Sequence, residues 1–472
     1  MISFRNTLTL FLAILFVFSS CTQQAPTNDL SVDQKVLDHE AQPLLVKAVN
    51  PPFENFDVPF NDYSVNAVEG KVIKLKNGTV IKVPKNAFVD ENGNPIEGDV
   101  TIKYREFHDA ASIIASGIPM ANRDDYGKYM ETAGMFEING EVNGKPINVA
   151  PDKTIEVNMA SFVQGNDFDF FYLDEAECKW VTKGKTEPVV NQVRVEKEKA
   201  IAPVPSKPAE PAKRNKENFV FDLDINYSTF PELKGFKNVV WEYAGSKDAE
   251  DPEKNPWVFK TDWTSVELLP MKNDDLSKYV LKLRSGKNTF TTYVKPVLSG
   301  NDYEAAMAEF KKLNNIYMKA KEAMKVERER IEQEAELLRE FQIADFGIFN
   351  WDIWKMPKRI AVKAEFDFDE AIDTDMNKIS VFLVSGDNRS VIRYTPKNFN
   401  MFSFDPNEEN RMLAILPGNK VVVFSKEDFK KLNIESIRKG AANGQSFKFE
   451  MKDSGEVISS MDQLRHVIDK LG

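Results

Sequence analysis

Lys71-Val72-Ile73-Lys74-Leu75 and Thr79-Val80-Ile81-Lys82-Val83 alternate apolar and polar residues on either side of Asn77-Gly78, a pattern that leaves the chain few choices. A period of two puts one face of each run against a core, and Asn-Gly supplies the left-handed pair of a tight turn whose twist matches two paired strands. The device recurs at Asn92-Gly93, between Phe88-Val89 and Val100-Thr101-Ile102-Lys103-Tyr104. It recurs again at Asn143-Gly144, between Phe136-Glu137-Ile138 and Ile147-Asn148-Val149. Short strands joined this way, with few helical stretches among them, predict an antiparallel β-sandwich over residues 65–184.

Within that region, Gly78-Thr79-Val80-Ile81-Lys82-Val83-Pro84-Lys85-Asn86-Ala87-Phe88, then Gly93-Asn94-Pro95 and Gly98-Asp99-Val100, resembles the ZU-type β-sandwich module of ankyrins and netrin receptors. It is similar also to lipoproteins of Bacteroidota that carry such a module, as are Arg105-Glu106-Phe107-His108-Asp109, Ser116-Gly117-Ile118-Pro119-Met120 and Ala133-Gly134-Met135-Phe136. The resemblance covers roughly a quarter of the chain and rests on turn and core residues. It implies a sandwich and, because the eukaryotic modules bind or pack against proteins without catalysis, a role in interaction.

Residues 185–217 are rich in Pro, Lys, Glu and Ala, with Pro203, Pro205, Pro208 and Pro211, and so predict an extended spacer of polyproline-like backbone. Strand patterns return over residues 218–300, at Phe219-Val220-Phe221, Val239-Val240-Trp241, Tyr279-Val280-Leu281 and Thr289-Phe290-Thr291. From Asp302 to about Asp345 there is neither Pro nor Gly, and Tyr303, Phe310, Tyr317, Met324, Ile331 and Leu338 recur every seven residues. One long helix over 301–346 is expected, its stripe lying on its own sheet or forming a coiled-coil or partner-binding seam. Residues 347–472 read as strands again, with capped short helices from Ser425 and Ser460. The fold class expected is therefore mainly β and multidomain: an N-terminal antiparallel sandwich plus a second β-rich domain interrupted by one long α-helix.

At the N-terminus Arg5, an apolar run from Leu8 to Phe18 and then Ser19-Ser20-Cys21 read as a signal peptide of residues 1–21, too short to span a bilayer. Cys21 is the expected lipidation site, and residues 22–64 a polar stalk containing a short helical possibility. Two or three acyl chains, at about 0.8 kcal/mol per buried methylene, hold a protein almost permanently. Thr22 rather than Asp after the cysteine points to the outer membrane of the cell envelope, and the absence of acidic residues before Asp29 to its periplasmic face rather than the cell surface. With 73 acidic against 62 basic residues the chain carries a net charge of −11, which argues against nucleic acid as a partner. Lipid occupies Cys21, so Cys178 has no intramolecular disulfide partner and reads as a small buried apolar residue.

No catalytic signature is present: no Gly-x-Ser-x-Gly, phosphate loop, zinc-protease helix or Cys-x-x-Cys, and neither a cofactor nor a metal is implied. Glu106 and His108 share one face of a strand, a possible metal corner with Asp109 beyond them, but no third ligand is evident and a solvated or structurally bonded histidine is the expectation; His39 and His466 lack local partners. Asp90-Glu91-Asn92-Gly93-Asn94 lacks a downstream glutamate for calcium and reads as a turn. Asp367, Asp369, Glu370, Asp373 and Asp375 form the densest acidic cluster, suited to a hard cation or to solvation. Trp351 and Trp354 would make a platform for a sugar or a protein if exposed, and would seal the helix against the sheet if buried. These observations lead to a non-catalytic, membrane-anchored scaffold that binds another envelope protein; the rival reading is a carbohydrate-binding or hydrolytic protein using Trp351, Trp354 and the acidic cluster.

Overall fold

The computed structural model describes residues 48–472 apart from 123–124, 225, 272–274, 357, 369–377 and 388. Cys21, His39 and the stalk up to residue 47 lie outside the described residues. The chain is mainly β.

The hairpin expected at Asn77-Gly78 forms, but through a three-residue loop, Lys76 to Gly78, in which only Gly78 enters the left-handed region. Lys71–Lys74 pairs antiparallel with Val80–Val83, Ile73 stands opposite Ile81, and Gly78 takes φ +101°. Ile73, Ile81 and Val83 are buried while Lys74 and Lys82 stay in water. Asn143 and Gly144 likewise turn Asp125–Val142 onto Lys145–Pro146. Asn92-Gly93 makes a turn whose immediate flanks meet in a single bridge, Val89 to Pro95, but Phe88–Val89 does not pair with the strand that holds Val100 to Tyr104. Phe88–Val89 pairs with Asn148–Val149, and Asp99–Phe107 lies between Asn61–Asn66 and Asp125–Val142. The Asp90 carboxylate, accepting the backbone N–H groups of Asn92 and Asn94, closes a loop of its own there.

One sheet of the sandwich orders as Asn61–Asn66, Asp99–Phe107, Asp125–Val142, Gly347–Lys355, Asp169–Asp174, Lys179–Lys185. The facing sheet orders as Val189–Val190, Leu337–Ile343, Ile155–Ser161, Val80–Val83, Lys71–Lys74. Tyr104, Phe136, Val157, Phe170, Phe349 and Trp351 fill the space between them. Residues 65–184 therefore do not complete the sandwich, because an interior strand of each sheet comes from 337–355. Outside the first sheet lies helix α1 (Ala110–Ser116), capped by Asp109 and ended by Gly117 in the left-handed region.

The long helix is shorter than its composition suggests. After helix α2 (Gln192–Ala200) comes α3, Gly300–Glu332, and Leu337–Ile343 is a strand. Arg339 and Ile343 there point inward with Leu337 and Phe341 half-buried on the same side, a period of two hidden inside a helix-forming composition. Pairing with Ile155–Ser161 on one side and Val189–Val190 on the other overrides helix propensity, a bias of only tenths of a kcal/mol per residue.

Everything between residues 191 and 336 leaves the sandwich and returns at one point. The Asn191 backbone N–H donates to the Glu336 carbonyl at 2.8 Å and its side-chain amide to the Ala335 carbonyl at 3.0 Å. At this root Lys197 pairs with Glu334 at 2.5 Å, while at the far end Lys213 lies over the Tyr303 ring, 5.9 Å from its centroid. From Tyr303 to Glu332 the helix rises about 44 Å at 1.5 Å per residue. The outgoing chain covers that span between Lys197 and Lys213 only if its proline-rich part runs at about 3 Å per residue, the rise of polyproline II. The spacer of residues 185–217 is thus an extended strut matched in length to α3, entered through Val189–Val190 and α2 and leaving as the strand Ala212–Lys213.

The strut and α3 carry a small β lobe. Its sheet orders as Val220–Phe221, Val240–Tyr243, Asn288–Leu298, Tyr279–Ser285, Ser265–Pro270, with Ala212–Lys213 parallel to the end of Asn288–Leu298. Trp241, Tyr279, Leu281, Phe290 and Val294 form its own core. Because the root positions already touch, replacing residues 192–334 by a short Gly-Ser turn should leave a folded body. The expected result is a cooperative thermal transition within a few degrees of the parent's; a body that no longer folds would mean that the lobe or strut supports the sandwich.

The C-terminal lobe builds on a sheet ordered Ser390–Tyr394, Ser380–Ser385, Asn410–Leu416, Lys420–Phe424, Lys452–Val457. Its apolar runs are continuous rather than alternating because both faces are covered. Phe382, Val384, Leu413 and Ile415 meet α1 and the sandwich, whereas Val381, Leu383, Met412 and Ala414 enter a second core. Helices α4 (Lys426–Lys430), α5 (Ile434–Ala442) and α6 (Met461–Lys470) complete it, the first with a Ser425–Asp428 capping box. Arg465 on α6 binds Asp109 at 2.8 Å, and Thr132 donates its backbone N–H to the Arg389 carbonyl. The stretch at 48–58 threads this joint. Phe53 is buried in it, and a Cβ on Gly117 would come within 2.1 Å of the Asn50 carbonyl oxygen. Among the described residues no helix is long and apolar enough to cross a membrane.

Candidate functional site

Trp351 and Trp354 do not form a platform. Trp351 is fully buried, its ring 4.5 Å from that of Phe170 and 5.8 Å from that of Phe136, and its indole N–H reaches Thr186 Oγ1 at 3.3 Å. Trp354 is half-buried with its ring edge-on to Phe171. The cause is position: Gly347–Lys355 is an interior strand with a core on each face. Of the acidic cluster, Asp367 pairs with Lys448 across parallel strands, while Asp369, Glu370, Asp373 and Asp375 lie outside the described residues. Cys178, read as buried, is half-exposed at a turn, where it takes φ +50°. His466 is exposed on α6.

Glu106 and His108 do come together, 2.8 Å apart, as part of a larger buried centre. Glu106 also accepts from Thr79 Oγ1 at 2.6 Å, Tyr104 Oη at 2.7 Å and Asn77 Nδ2 at 2.5 Å. Burial raises the Glu106 carboxyl, but the bond and charge of His108, with the Thr79 and Tyr104 donors, more than reverse this and hold it below the ordinary glutamate value. Asp109 faces the other way, capping α1 and pairing with Arg465, so it adds nothing to a metal corner. Among the described residues no group of three or more His, Cys, Asp or Glu could hold a metal ion. The centre ties the strand Asp99–Phe107 to the hairpin loop at Asn77 and Thr79. Its Asn77 carbonyl also accepts the Ala335 N–H, joining it to the root of the strut.

A second buried carboxyl was not legible in sequence. Asp352, at a bulge opposite Thr132, is held well above the ordinary aspartate value by burial and by the charge of Glu131, against bonds from Thr132 and Asn350. It lies within the joint between the sandwich and the C-terminal lobe, where Thr132 donates its backbone N–H to the Arg389 carbonyl. A crevice of about 210 Å³ nearby is lined by Tyr129, Glu131, Lys355, Ser385, Asp405 and Glu408. Lys355 and Arg389 already neutralise its Glu131 at 3.2 and 2.8 Å.

A cluster of exposed aromatic rings lies on the lobe that the strut carries. Asn255 holds the entry to the short turn of helix Pro256–Lys260 by donating to the carbonyls of Asp248 and Asp251, both at 2.8 Å. The turn has three residues per revolution, so burying Val258 in the lobe's core throws Trp257 and Phe259 outward on either side. Trp257 is 42% exposed, resting on Trp263 and Phe290; Phe259 is 51% exposed, resting on Phe219 and Phe221; and Phe219 is 37% exposed. Trp263 is fixed by donating to the Val258 carbonyl at 2.8 Å. Thr264 donates to the Arg284 carbonyl beside the Ser285–Asn288 turn, at the opposite end of the strand from Leu298, where α3 begins. Trp257 therefore lies toward the end of the lobe remote from α3, whereas Phe259 and Phe219 sit against Phe221, which pairs with Trp241 opposite Pro296. Strand periodicity does not mark it; the available signal is two aromatics one residue apart directly after Asn255-Pro256, inside a charged loop.

With this geometry in view, the chain was compared with known proteins: no protein-family model, no curated protein and no solved structure matches it.

Proposed function

We propose that this chain is a non-catalytic scaffold of the cell envelope, held to the outer membrane by lipid on Cys21, facing the periplasm, and docking on another envelope protein. The observation that carries the reading is the strut. A body made of the sandwich and the C-terminal lobe sends out a separate lobe on α3 and a proline-rich companion, a construction that serves reach and presentation rather than a catalytic cleft. The middle of α3 supports the docking role, because Ile316, Met318 and Val326 each leave about half their surface in water and its heptad stripe of Phe310, Tyr317 and Met324 is only half-covered. The ZU-like reading of the sandwich points the same way, since such modules pack against proteins.

Photo-crosslinking residues at Ile316, Met318 and Val326 in intact cells test it. A discrete protein adduct from these positions is expected, absent from a Cys21→Ser strain and from the exposed control position Val457 on the C-terminal lobe. Capture of nothing specific from any α3 position would overturn the proposal.

A further inference from the structure

We propose that the aromatic cap of the far lobe, Trp257, Phe259 and Phe219, is a binding site for a neutral carbohydrate chain. Three observations carry this beyond the scaffold reading. The first is chemical. Rings propped by other rings from beneath offer π surface to solvent, and a sugar presents a face of polarised C–H groups that such surface attracts, while its hydroxyls remain in water or reach polar groups at the edge. Among the described residues the indole N–H of Trp257 has no protein acceptor, and Asn255, Lys260 and Asp262 lie within a few residues of the two rings in sequence.

The second is size. At the exposures of these three residues, with about 150–250 Å² for a whole aromatic side chain, the cap offers roughly 200–300 Å². That suits one or two sugar rings and falls well short of the roughly 800 Å² per partner of a standard protein interface. The third is charge. The loop that bears the cap pairs Lys254 with Asp248 at 2.5 Å and Lys247 with Glu250 at 3.3 Å, and Asp251, Glu253 and Asp262 against Lys260 leave it weakly acidic. That field turns away an anionic lipid surface or an anionic polymer, and an uncharged, amphipathic ligand suits the rings. Preorganisation supports the same conclusion: the Asn255, Trp263 and Thr264 bonds fix the backbone under the rings, so binding orders little.

The test is calorimetric titration of the whole protein with cello-oligosaccharide, chito-oligosaccharide and linear manno-oligosaccharide, accompanied by acrylamide quenching of tryptophan fluorescence. At least one sugar should bind saturably and shield a tryptophan. Trp257→Ala and Phe259→Ala should each weaken that binding about tenfold or more, and Phe259→Trp should retain it. Unchanged thermal transitions in the alanine variants separate lost stacking from lost folding; should either unfold the lobe, Lys260→Trp, which adds a ring at the rim without touching the core, should strengthen binding. No saturable binding of any of the three sugars at millimolar concentration, or binding that survives Trp257→Ala with Phe259→Ala, overturns the proposal, as does a protein adduct from a photo-crosslinker at Lys260 without sugar binding. Crosslinking from α3 reads a different surface, so either proposal can fail alone.

Discussion

Glu106→Ala should lower the stability of the sandwich by about 3–5 kcal/mol, the summed cost of leaving several donors without an acceptor when each buried one costs about 1–3 kcal/mol. The variant strands Thr79 Oγ1, Tyr104 Oη, Asn77 Nδ2 and the His108 ring, with Thr79 and Tyr104 fully buried. Glu106→Gln, which keeps an acceptor oxygen but turns an amide N–H₂ toward other donors, should lose less. The effect has a pH signature of definite sign. Because the folded carboxyl lies below its ordinary value of 4.5, the unfolded chain binds the proton more readily. The contribution is present above the unfolded value and is lost as pH falls through the folded one. Urea unfolding at a series of pH values should show wild type losing stability below about pH 4.5 more steeply than Glu106→Gln. Parallel pH dependences in the two proteins would show that the carboxylate is not held by these donors.

Trp351→Ala should cost about 3–5 kcal/mol, the range for deleting a large aromatic from a packed core. Trp351 is among the largest wholly buried side chains, and its neighbours cannot readily close the gap. Opposite it stands Gly134, at φ +137°, where even a Cβ would come within 2.3 Å of the Met159 methyl carbon. A cavity there opens the space in which the rings of Phe136 and Phe170 meet that of Trp351, so near-ultraviolet circular dichroism should weaken along with stability. Trp354→Ala removes a half-buried ring at the joint and should cost about 1–2 kcal/mol by lost burial. Chemical denaturation distinguishes this picture from a ligand platform on the same residues, which would lose binding while keeping its stability. A Trp351→Ala protein as stable as wild type would remove the tryptophan from the core.

The elements that were legible share one property: their determinants are adjacent in the chain. Gly78 and Asn143-Gly144 dictate turns through their own φ preferences, and Ser425 and Ser460 cap helices through their own hydroxyls. The apolar runs at Val381-Phe382-Leu383-Val384 and Met412-Leu413-Ala414-Ile415-Leu416 announced buried strands, although not that two different cores would cover their two faces. Glu106 and His108 shared a strand face in sequence and share a hydrogen bond in space.

What failed was whatever required knowing the partner. The end of α3 was misplaced because Leu337–Ile343 has the composition of a helix, and only the open slot between Val189–Val190 and Ile155–Ser161 makes it a strand. Trp351 and Trp354 could not be assigned to core or surface until their strand was known to lie between Asp125–Val142 and Asp169–Asp174. Trp257 and Phe259 became visible only once Val258 was seen to anchor their turn. By itself the sequence determined the local vocabulary: most of the strands, where the tight turns fall, and that a long helix and an extended proline-rich segment are present. Tertiary structure decided that the two run together as one strut, that the sandwich closes around strands from beyond it, and that an aromatic surface sits on the lobe they carry. Backbone preferences act over a few residues, whereas strand order is set by burial summed over segments more than a hundred residues apart, and no short window of sequence contains that sum.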